Sequence, residues 1–253
     1  MEAIHVVQAH SGSPELPNLV TLLADKFPGL PFTDFLKAWE NPLFSLLAVM
    51  ILSLAAYFSC RKLKLIPVRA QNCAEAFVAG ADDFVCGILG KKGRQYTPFI
   101  GTLFIYILFM NLFGLVPFMK SATSSWSVTF GLALCVFCYV QYSAFKELGF
   151  LGYLDHMMGK PRGILAFSVF IPLMMFFLHI VSELVRPISL SLRLRSNIWG
   201  EDMLLAVVAG FGIKGVPLLV FSMLLVIVGA LVQALVFSLL STIYFALVLT
   251  HED

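Results

Sequence analysis

The sequence predicts an all-α, polytopic membrane protein. It should have five transmembrane helices and one interfacial amphipathic helix, with the last two spans long, tilted and paired as a hairpin. Composition is the first indication, because 59% of the 253 residues are hydrophobic and only 13% are charged. The mean hydropathy of +0.90 is equally extreme, and a soluble domain would carry about 25% charged residues. The formal net charge of +2 is too small to indicate a nucleic-acid partner.

Long apolar stretches are the second indication, because a helix needs about 20 apolar residues to cross a bilayer. The predicted spans are 43–60, 96–119, 122–145, 163–211 and 215–249. As straight helices the last two would be roughly 70 Å and 50 Å long, against about 30 Å of hydrocarbon. We therefore expect them to be kinked or strongly tilted. The residues predicted to bend or connect them are Pro172, Pro187, Gly212, Gly215 and Pro217.

Segment 70–90 differs from the spans, because its apolar residues recur at helical spacing beside Glu75, Asp82 and Asp83. This pattern is typical of an amphipathic helix lying in the membrane interface.

Basic residues predict the orientation. Loop 61–95 contains seven lysines and arginines and loop 146–162 contains three, whereas the first 42 residues contain two against five acids. Because basic loops stay in the cytoplasm, the N-terminus is predicted to lie outside and the C-terminus inside. The predicted division is an extracytoplasmic segment, 1–42, and a membrane domain, 43–253.

Features of catalysis or metal binding are missing from the sequence. The five cysteines have no framework or metal-ligand spacing, and we interpret them as small core hydrophobes. There is no P-loop and no G-x-S-x-G motif. The sequence therefore predicts a protein that is not itself an enzyme and needs no cofactor or metal.

Arg193 is the most informative residue, because it lies within a segment that should cross the membrane. A central arginine costs about 3 kcal/mol on insertion scales, and its high pKa prevents neutralisation. Such a permanent charge is usually there to meet another charge. The alternative is an arginine that snorkels to the interface, which fits Arg186 better, just before Pro187.

Polar and titratable residues share one broad face of this helix at 100° per residue, while Arg195 and Asp202 project roughly opposite. The residues of the polar face are His179, Glu183, Arg186, Arg193, Asn197 and Glu201. Histidines and carboxylates can relay protons, whereas an arginine cannot. We therefore interpret Arg193 as an electrostatic gate in a proton path.

Counted from the turn, Gln233 falls at nearly the same level as Arg193 in an antiparallel hairpin, and we expect it to be a hydrogen-bond partner. Each of these polar residues has an alternative interpretation. In the first alternative, Gln233 only packs the two helices together. In the second, Glu183 forms an ion pair with Arg186, and in the third, Glu201 or Asp202 forms an ion pair with Arg195.

The stretch SELVRPISLSLRLRSNIWGEDMLL, 182–205, resembles the signature region of the a-subunit family of F-type ATP synthases, which reads RPLSLSLRLFGN followed shortly by an acid. IPVRAQNCAEAF (66–77), the region 92–134 and LVQALVFSLLSTIYFAL (231–247) resemble further parts of that family. The similarity covers roughly residues 40–251. Two departures are Arg195-Ser196 in place of Phe-Gly, and the pair Glu201-Asp202 where one acid is usual.

The resemblance implies a stator subunit that moves protons, or Na⁺, past a rotating ring of c subunits. Its other partners would be the b subunits of the peripheral stalk and the lipid bilayer, in a bacterial inner membrane. Arg193 would be the essential arginine, and His179 would replace an acid. Polar residues on the ion path would be Asn197, Gln233 and one of Glu201 and Asp202, of which helical phase favours Glu201.

Two rival classes remain. An ion-coupled secondary transporter would also place Arg, Glu and His within the membrane, but it would typically show an internal repeat, and none is found. A membrane-embedded enzyme would use His179 or Glu183 as a base, but no convincing nucleophile accompanies them.

Overall fold

The computed structural model describes residues 39–60, 69–116, 119, 121–158 and 165–249. Within these ranges the regular structure is entirely helical, with six α-helices and three short 3₁₀ segments, so the predicted all-α class is confirmed. The α-helices are α1 (Glu40–Cys60), α2 (Arg69–Leu89), α3 (Thr97–Phe113), α4 (Trp126–Met158), α5 (Leu165–Ala209) and α6 (Val216–Leu249).

Four of these helices, α1, α4, α5 and α6, are long and apolar enough to cross a bilayer. Helix α3 has 17 residues and is shorter than the predicted span 96–119. It still reaches the lower limit for a spanning helix. It ends at Phe113, and Gly114 is its C-cap residue. Helix α2 coincides with the predicted amphipathic segment.

Helix α5 is a single helix of 45 residues that continues through Pro187, one of the residues predicted to bend it. With 34 residues in α6, the two helices are about 68 Å and 51 Å long at 1.5 Å per residue. Both exceed the hydrocarbon thickness of about 30 Å, which requires a strong tilt or bend.

The connection between α5 and α6 depends on two glycines, as predicted. Gly212 has a φ of +60°, a conformation that L-residues with a side chain rarely adopt. A Cβ at Gly215 would lie 2.8 Å from the Val208 carbonyl oxygen, so no larger residue fits there.

A common apolar core joins α3, α4, α5 and α6 to the inner side of α2. Its most buried members include Ile107, Val136, Leu194, Phe237 and Phe245. Helix α1 attaches separately to α3, through contacts around Phe44 and Met110 and a 2.7 Å hydrogen bond between the hydroxyls of Ser45 and Tyr106.

Helix α2 is tied to the start of α3. The Phe77 and Phe104 rings stack at a centroid distance of 5.9 Å. The Thr97 hydroxyl donates to Asp82 Oδ1 at 2.9 Å, and Arg94 Nε lies 3.5 Å from Asp82 Oδ2. Helix α2 is therefore held by apolar contacts on one side and by the contacts of Asp82 with Thr97 and Arg94, which fits its amphipathic pattern.

The cysteine prediction was wrong for three residues. Cys73, Cys135 and Cys138 are exposed on the helices rather than buried in the core. A bilayer is as apolar as a protein interior, so small hydrophobic residues gain little by facing other helices.

Several predictions lie outside the described residues. They concern most of the N-terminal segment 1–42, the very C-terminus, and part of the basic loops. The loop residues are Arg61, Lys62, Lys64, Lys160 and Arg162.

Candidate functional site

Helices α5 and α6 form an antiparallel hairpin with a regular register, which three side-chain contacts define. The Arg186 guanidinium lies 5.3 Å from the centroid of the Tyr244 ring. Asn197 Nδ2 donates to Gln233 Oε1. The Glu201 carboxylate lies against the backbone of Gly229. Eleven and then four residues separate these positions on both helices, so the two helices keep one register over four turns.

Gln233 was expected to meet Arg193, but its partner is Asn197, one turn further along α5. In the observed register Arg193 is opposite Phe237 instead. Side chains lean toward the N-terminus of their helix, and in an antiparallel pair they therefore lean in opposite directions. The prediction counted residues from the turn and did not include this lean. Because of it, the residues in contact on both helices have higher numbers than the count gives.

Gln233 is almost completely buried, at 4% exposure, and only one of the two polar atoms of its side-chain amide has a hydrogen-bond partner in the described part of the chain. Its Oε1 accepts the bond from Asn197, whereas its Nε2 has no hydrogen-bond partner in the described part of the chain. A buried donor without a partner costs about 1–3 kcal/mol. The Gln233 Nε2 is therefore the polar atom of this pair that the described residues leave without a partner.

Arg193 is exposed on α5, whereas the nearby Leu190, Leu194 and Ile198 are buried. Among the residues that the structure describes, no carboxylate lies within ion-pair distance of its guanidinium. Most other exposed residues on this side of α5 are apolar or small, namely Val185, Ser189, Leu192, Ser196, Gly200 and Leu204. The amide of Asn197 is also exposed, one turn beyond Arg193.

The two adjacent acids, Glu201 and Asp202, are both half-buried. A Cβ at Gly229 would lie only 2.5 Å from Glu201 Oε1, so this carboxylate fills the space that a side chain on α6 would occupy. Glu201 therefore points toward the α5–α6 interface, on the same side as Asn197. This agrees with the helical phase that favoured Glu201 over Asp202.

Glu183 belongs to a separate polar cluster toward the start of α5. It is 8% exposed, and its Oε2 accepts hydrogen bonds from Gln141 Nε2 at 2.7 Å and from Tyr153 at 3.1 Å. The Tyr153 hydroxyl also donates to Gln141 Oε1 at 2.7 Å, so its single hydrogen is shared between the two acceptors. Arg186 stacks on Tyr244 rather than pairing with Glu183, so the suggested neutralisation by Arg186 is not the arrangement found.

Gln141 and Tyr153, both from α4, are the residues that sequence reasoning missed. Tyr153 reaches Glu183 because α4 changes direction at Gly149, whose φ of 67° and ψ of 169° are not helical. Burial raises the pKa of Tyr153 well above its usual range, and the neighbouring Glu183 raises it further. Tyr153 is therefore neutral at physiological pH and able to donate. Gly149 was the available signal in the sequence, but it does not reveal where the chain turns.

Arg195 was suggested as the partner of Glu201 or Asp202. Its guanidinium instead lies 5.3 Å from the centroid of the Trp126 ring at the start of α4, in a cation–π contact. The Arg195 guanidinium therefore contacts the Trp126 ring and points away from the Asn197–Gln233 pair.

The predicted site residues thus fall into two groups on either side of Arg193. His179, half-buried, and Glu183 lie toward the start of α5. Toward its end lie Asn197, Glu201 and Asp202, with Gln233 from α6. At 1.5 Å per residue, Glu183 is about 15 Å and Glu201 about 12 Å from Arg193 along the helix. In the described ranges, no group of three or more His, Cys, Asp or Glu residues is arranged to hold a metal.

Known proteins match this chain over most of its length. Residues 42–246 match the family model described as ATP synthase A chain. The chain is 42% identical over 248 residues to a protein named ATP synthase subunit a from Protochlamydia amoebophila, covering 94% of this chain and 91% of the relative. A protein of that name from Aliarcobacter butzleri is 39% identical, with 82% and 88% coverage. One from Moorella thermoacetica is 37% identical, with 78% and 85% coverage.

Proposed function

Because the chain belongs to the ATP synthase A chain family, we propose that it is the proton-translocating stator subunit of the membrane sector of an F-type ATP synthase. It carries out no covalent chemistry. It conducts protons to and from a ring of c subunits, whose rotation drives ATP synthesis elsewhere in the complex. The b subunits of the peripheral stalk hold it in place in a bacterial inner membrane, with its N-terminus outside.

The observation that supports this proposal most directly is the position of Arg193. A permanent cation on an exposed and largely apolar or small-residue helix face costs about 3 kcal/mol in a bilayer. A partner that presents a carboxylate to this face would remove the cost. The small residues around Arg193, Ser189 and Ser196 among them, would allow another helix to approach closely. A c subunit with a membrane carboxylate has both properties.

The two polar groups then serve as two half-channels. Protons enter from the outer side past Glu201, with Asp202 beside it, and past the Asn197–Gln233 pair. They protonate a ring carboxylate, and the neutral carboxyl group can turn through lipid. The unpartnered Nε2 of Gln233 is suited to hold water or the arriving carboxyl oxygen.

Arg193 separates the half-channels and forces proton release. A cation about 4 Å from the carboxylate favours its charged form by about 4 kcal/mol at an effective dielectric constant of 20. This is about a thousandfold shift of the protonation equilibrium. The released proton leaves on the inner side, where Glu183 and His179 lie. Each charge that crosses 100 mV supplies about 2.3 kcal/mol.

The proposal predicts that Arg193→Ala abolishes ATP-driven proton pumping, while passive proton leak persists or rises. The reason is that the ring carboxyl no longer has to release its proton, and the barrier between the half-channels is lost. The measurement uses the whole purified complex in liposomes with a pH-sensitive dye.

The matched control is Arg195→Ala, which removes the same charge two residues away from a side chain that contacts Trp126. We expect this variant to pump. Normal pumping by Arg193→Ala would refute the proposed gate, and failure of Arg195→Ala alone would move the gate to Arg195.

A further inference from the structure

A cavity lies between α2, α3 and α6, and it is lined by none of the residues proposed for the proton path. Its volume is about 290 Å³. Three of its lining residues, Ile100, Gly101 and Ser238, are buried and form the floor. An apolar cavity of about 150 Å³ already binds benzene. The larger cavity found here therefore has room for a ring that carries substituents.

The walls of this cavity are aromatic or small. Phe77, Phe84 and Phe104 are half-buried and contribute three rings. Aromatic rings attract other rings in offset or edge-to-face arrangements. Among the described residues that line the cavity, none is charged, so a charged ligand would lose its hydration without gaining a partner. The walls therefore favour an uncharged molecule that contains a ring.

The cavity opens on a surface that lipid can reach. Ala76 and Gly80 of α2 and Leu235 of α6 are its exposed lining residues. Leu235 and the nearby Leu231 are both about half exposed, and α6 is long and apolar enough to cross a membrane. A ligand that enters here comes from within the bilayer, so it must itself dissolve in lipid.

Ser238 is the one polar side chain among the described lining residues, and its buried hydroxyl has no hydrogen-bond partner in the described part of the chain. The other three hydroxyl groups of α6 each donate to a carbonyl oxygen one turn earlier in the helix. They belong to Ser222, Ser241 and Thr242. A buried water molecule needs about two to four polar partners, which Ser238 alone does not supply. Its hydroxyl is therefore suited to a single oxygen atom on an otherwise apolar ligand.

We propose that this cavity binds an uncharged, lipid-soluble ring compound that carries a carbonyl or hydroxyl oxygen. The ring lies against Phe77, Phe84 and Phe104, and its oxygen forms a hydrogen bond with the Ser238 hydroxyl. Quinone rings of the membrane and aromatic compounds from outside the cell share this chemistry. Because the site is separate from the proton path, its failure would leave the proposed function intact, and that function is tested by Arg193→Ala.

The experiment measures binding of a tritium-labelled methylnaphthoquinone to the whole purified complex in nanodiscs of synthetic phospholipid. The wild type should bind this probe saturably. Gly80→Leu should weaken binding roughly tenfold or more, because the added side chain would occupy the space of the ring. A Cβ at Gly80 meets nothing within 4 Å, so the variant has room to fold.

Gly87→Leu is the matched control. Gly87 lies about two turns further along the same face of α2 and also has nothing within 4 Å of a Cβ, but it does not line the cavity. This variant should bind the probe as the wild type does.

Ser238→Ala tests the hydrogen bond. It should weaken binding of the methylnaphthoquinone about two- to tenfold, which is the effect of one hydrogen bond between neutral groups. Binding of labelled naphthalene, which has no oxygen, should not change. Without ligand the hydroxyl has no partner among the described residues, so this variant should fold normally and report on binding alone.

Equal binding of the probe by the wild type and Gly80→Leu would overturn the proposal. Absence of saturable binding in the wild type would also overturn it, and a phospholipid retained by the wild type but not by Gly80→Leu would then show that an acyl chain fills the cavity.

Mass spectrometry of the complex purified from native membranes distinguishes the two sources of the ring. A quinone that is present in the wild type and missing from Gly80→Leu would identify the membrane as the source. Saturable probe binding without such a quinone would identify the site as one for aromatic compounds from outside the cell.

Discussion

At the scale of single residues, the polar side chains differ in whether other residues of the same chain provide their hydrogen-bond or ion-pair partners. Glu183 is satisfied by two donors from α4. Gln233 is satisfied at Oε1 only, and the described residues offer Arg193 no carboxylate. Gln233 is buried between the helices, whereas Arg193 is exposed on α5.

Gly229 gives a residue-scale prediction for the outer half-channel. A Cβ at this position would lie 2.5 Å from Glu201 Oε1 and displace the carboxylate, so Gly229→Ala should slow ATP-driven pumping severalfold. Dye quenching in liposomes measures the rate. The double variant Gly229→Ala/Glu201→Asp should recover part of the pumping rate, because the shorter acid leaves room for the alanine methyl group. Unchanged pumping in Gly229→Ala would show that the Glu201 position is unimportant.

Ser238 gives a second residue-scale prediction, on stability. Its hydroxyl is buried and has no hydrogen-bond partner among the described residues, so Ser238→Ala should keep or slightly raise the thermal unfolding midpoint of the complex. Ser241 is the matched control on the same helix, because its hydroxyl donates to the Phe237 carbonyl at 2.8 Å. Ser241→Ala should not raise the unfolding midpoint. A clear fall of the midpoint in Ser238→Ala would mean that the Ser238 hydroxyl has a partner in the assembly.

At the scale of elements, the change of direction in α4 is what connects that helix to Glu183. Residues before Gly149 form the span, and residues after it bring Tyr153 back toward α5. The constant register of α5 and α6 has the complementary role, because it places Asn197 against Gln233 and Glu201 against Gly229 along one interface.

Gly149→Ala tests the role of this element. The φ of 67° and ψ of 169° are almost restricted to glycine, so an alanine that kept this turn would cost about 1–3 kcal/mol, and we expect the helix to straighten instead. Straightening withdraws Tyr153 from Glu183, so passive proton conductance of the membrane sector in liposomes should fall. Gly131→Ala, in the regular part of α4 with nothing within 4 Å, should have no such effect. Wild-type conductance in Gly149→Ala would show that the turn is not needed to place Tyr153.

At the scale of the whole molecule, large apolar side chains are exposed on every long helix, which is expected of a protein surrounded by lipid and other subunits. Helix α1 shows this most clearly, with Leu46, Met50, Leu54 and Phe58 all more than half exposed. The exposed part of the α5–α6 hairpin differs because it contains Arg193. Most of the apolar surface therefore suits lipid, whereas this part suits a partner with an anionic group.

The sequence by itself determined the class of protein, the helices and the residues of the polar face. Hydrophobic run length and helical periodicity are local properties, and Arg193, Asn197 and Glu201 share one helix. The resemblance of 182–205 to a known family also required no structure. Boundaries were less accurate, as the early end of α3 at Phe113 shows.

The tertiary structure alone decided the contacts between helices. The register that joins Gln233 to Asn197 depends on how side chains lean in an antiparallel pair, which counting along the chain does not include. The approach of Gln141 and Tyr153 to Glu183 depends on the direction of the chain after Gly149. Periodicity describes each helix about its own axis, whereas these contacts depend on the relative position of several axes, which packing determines.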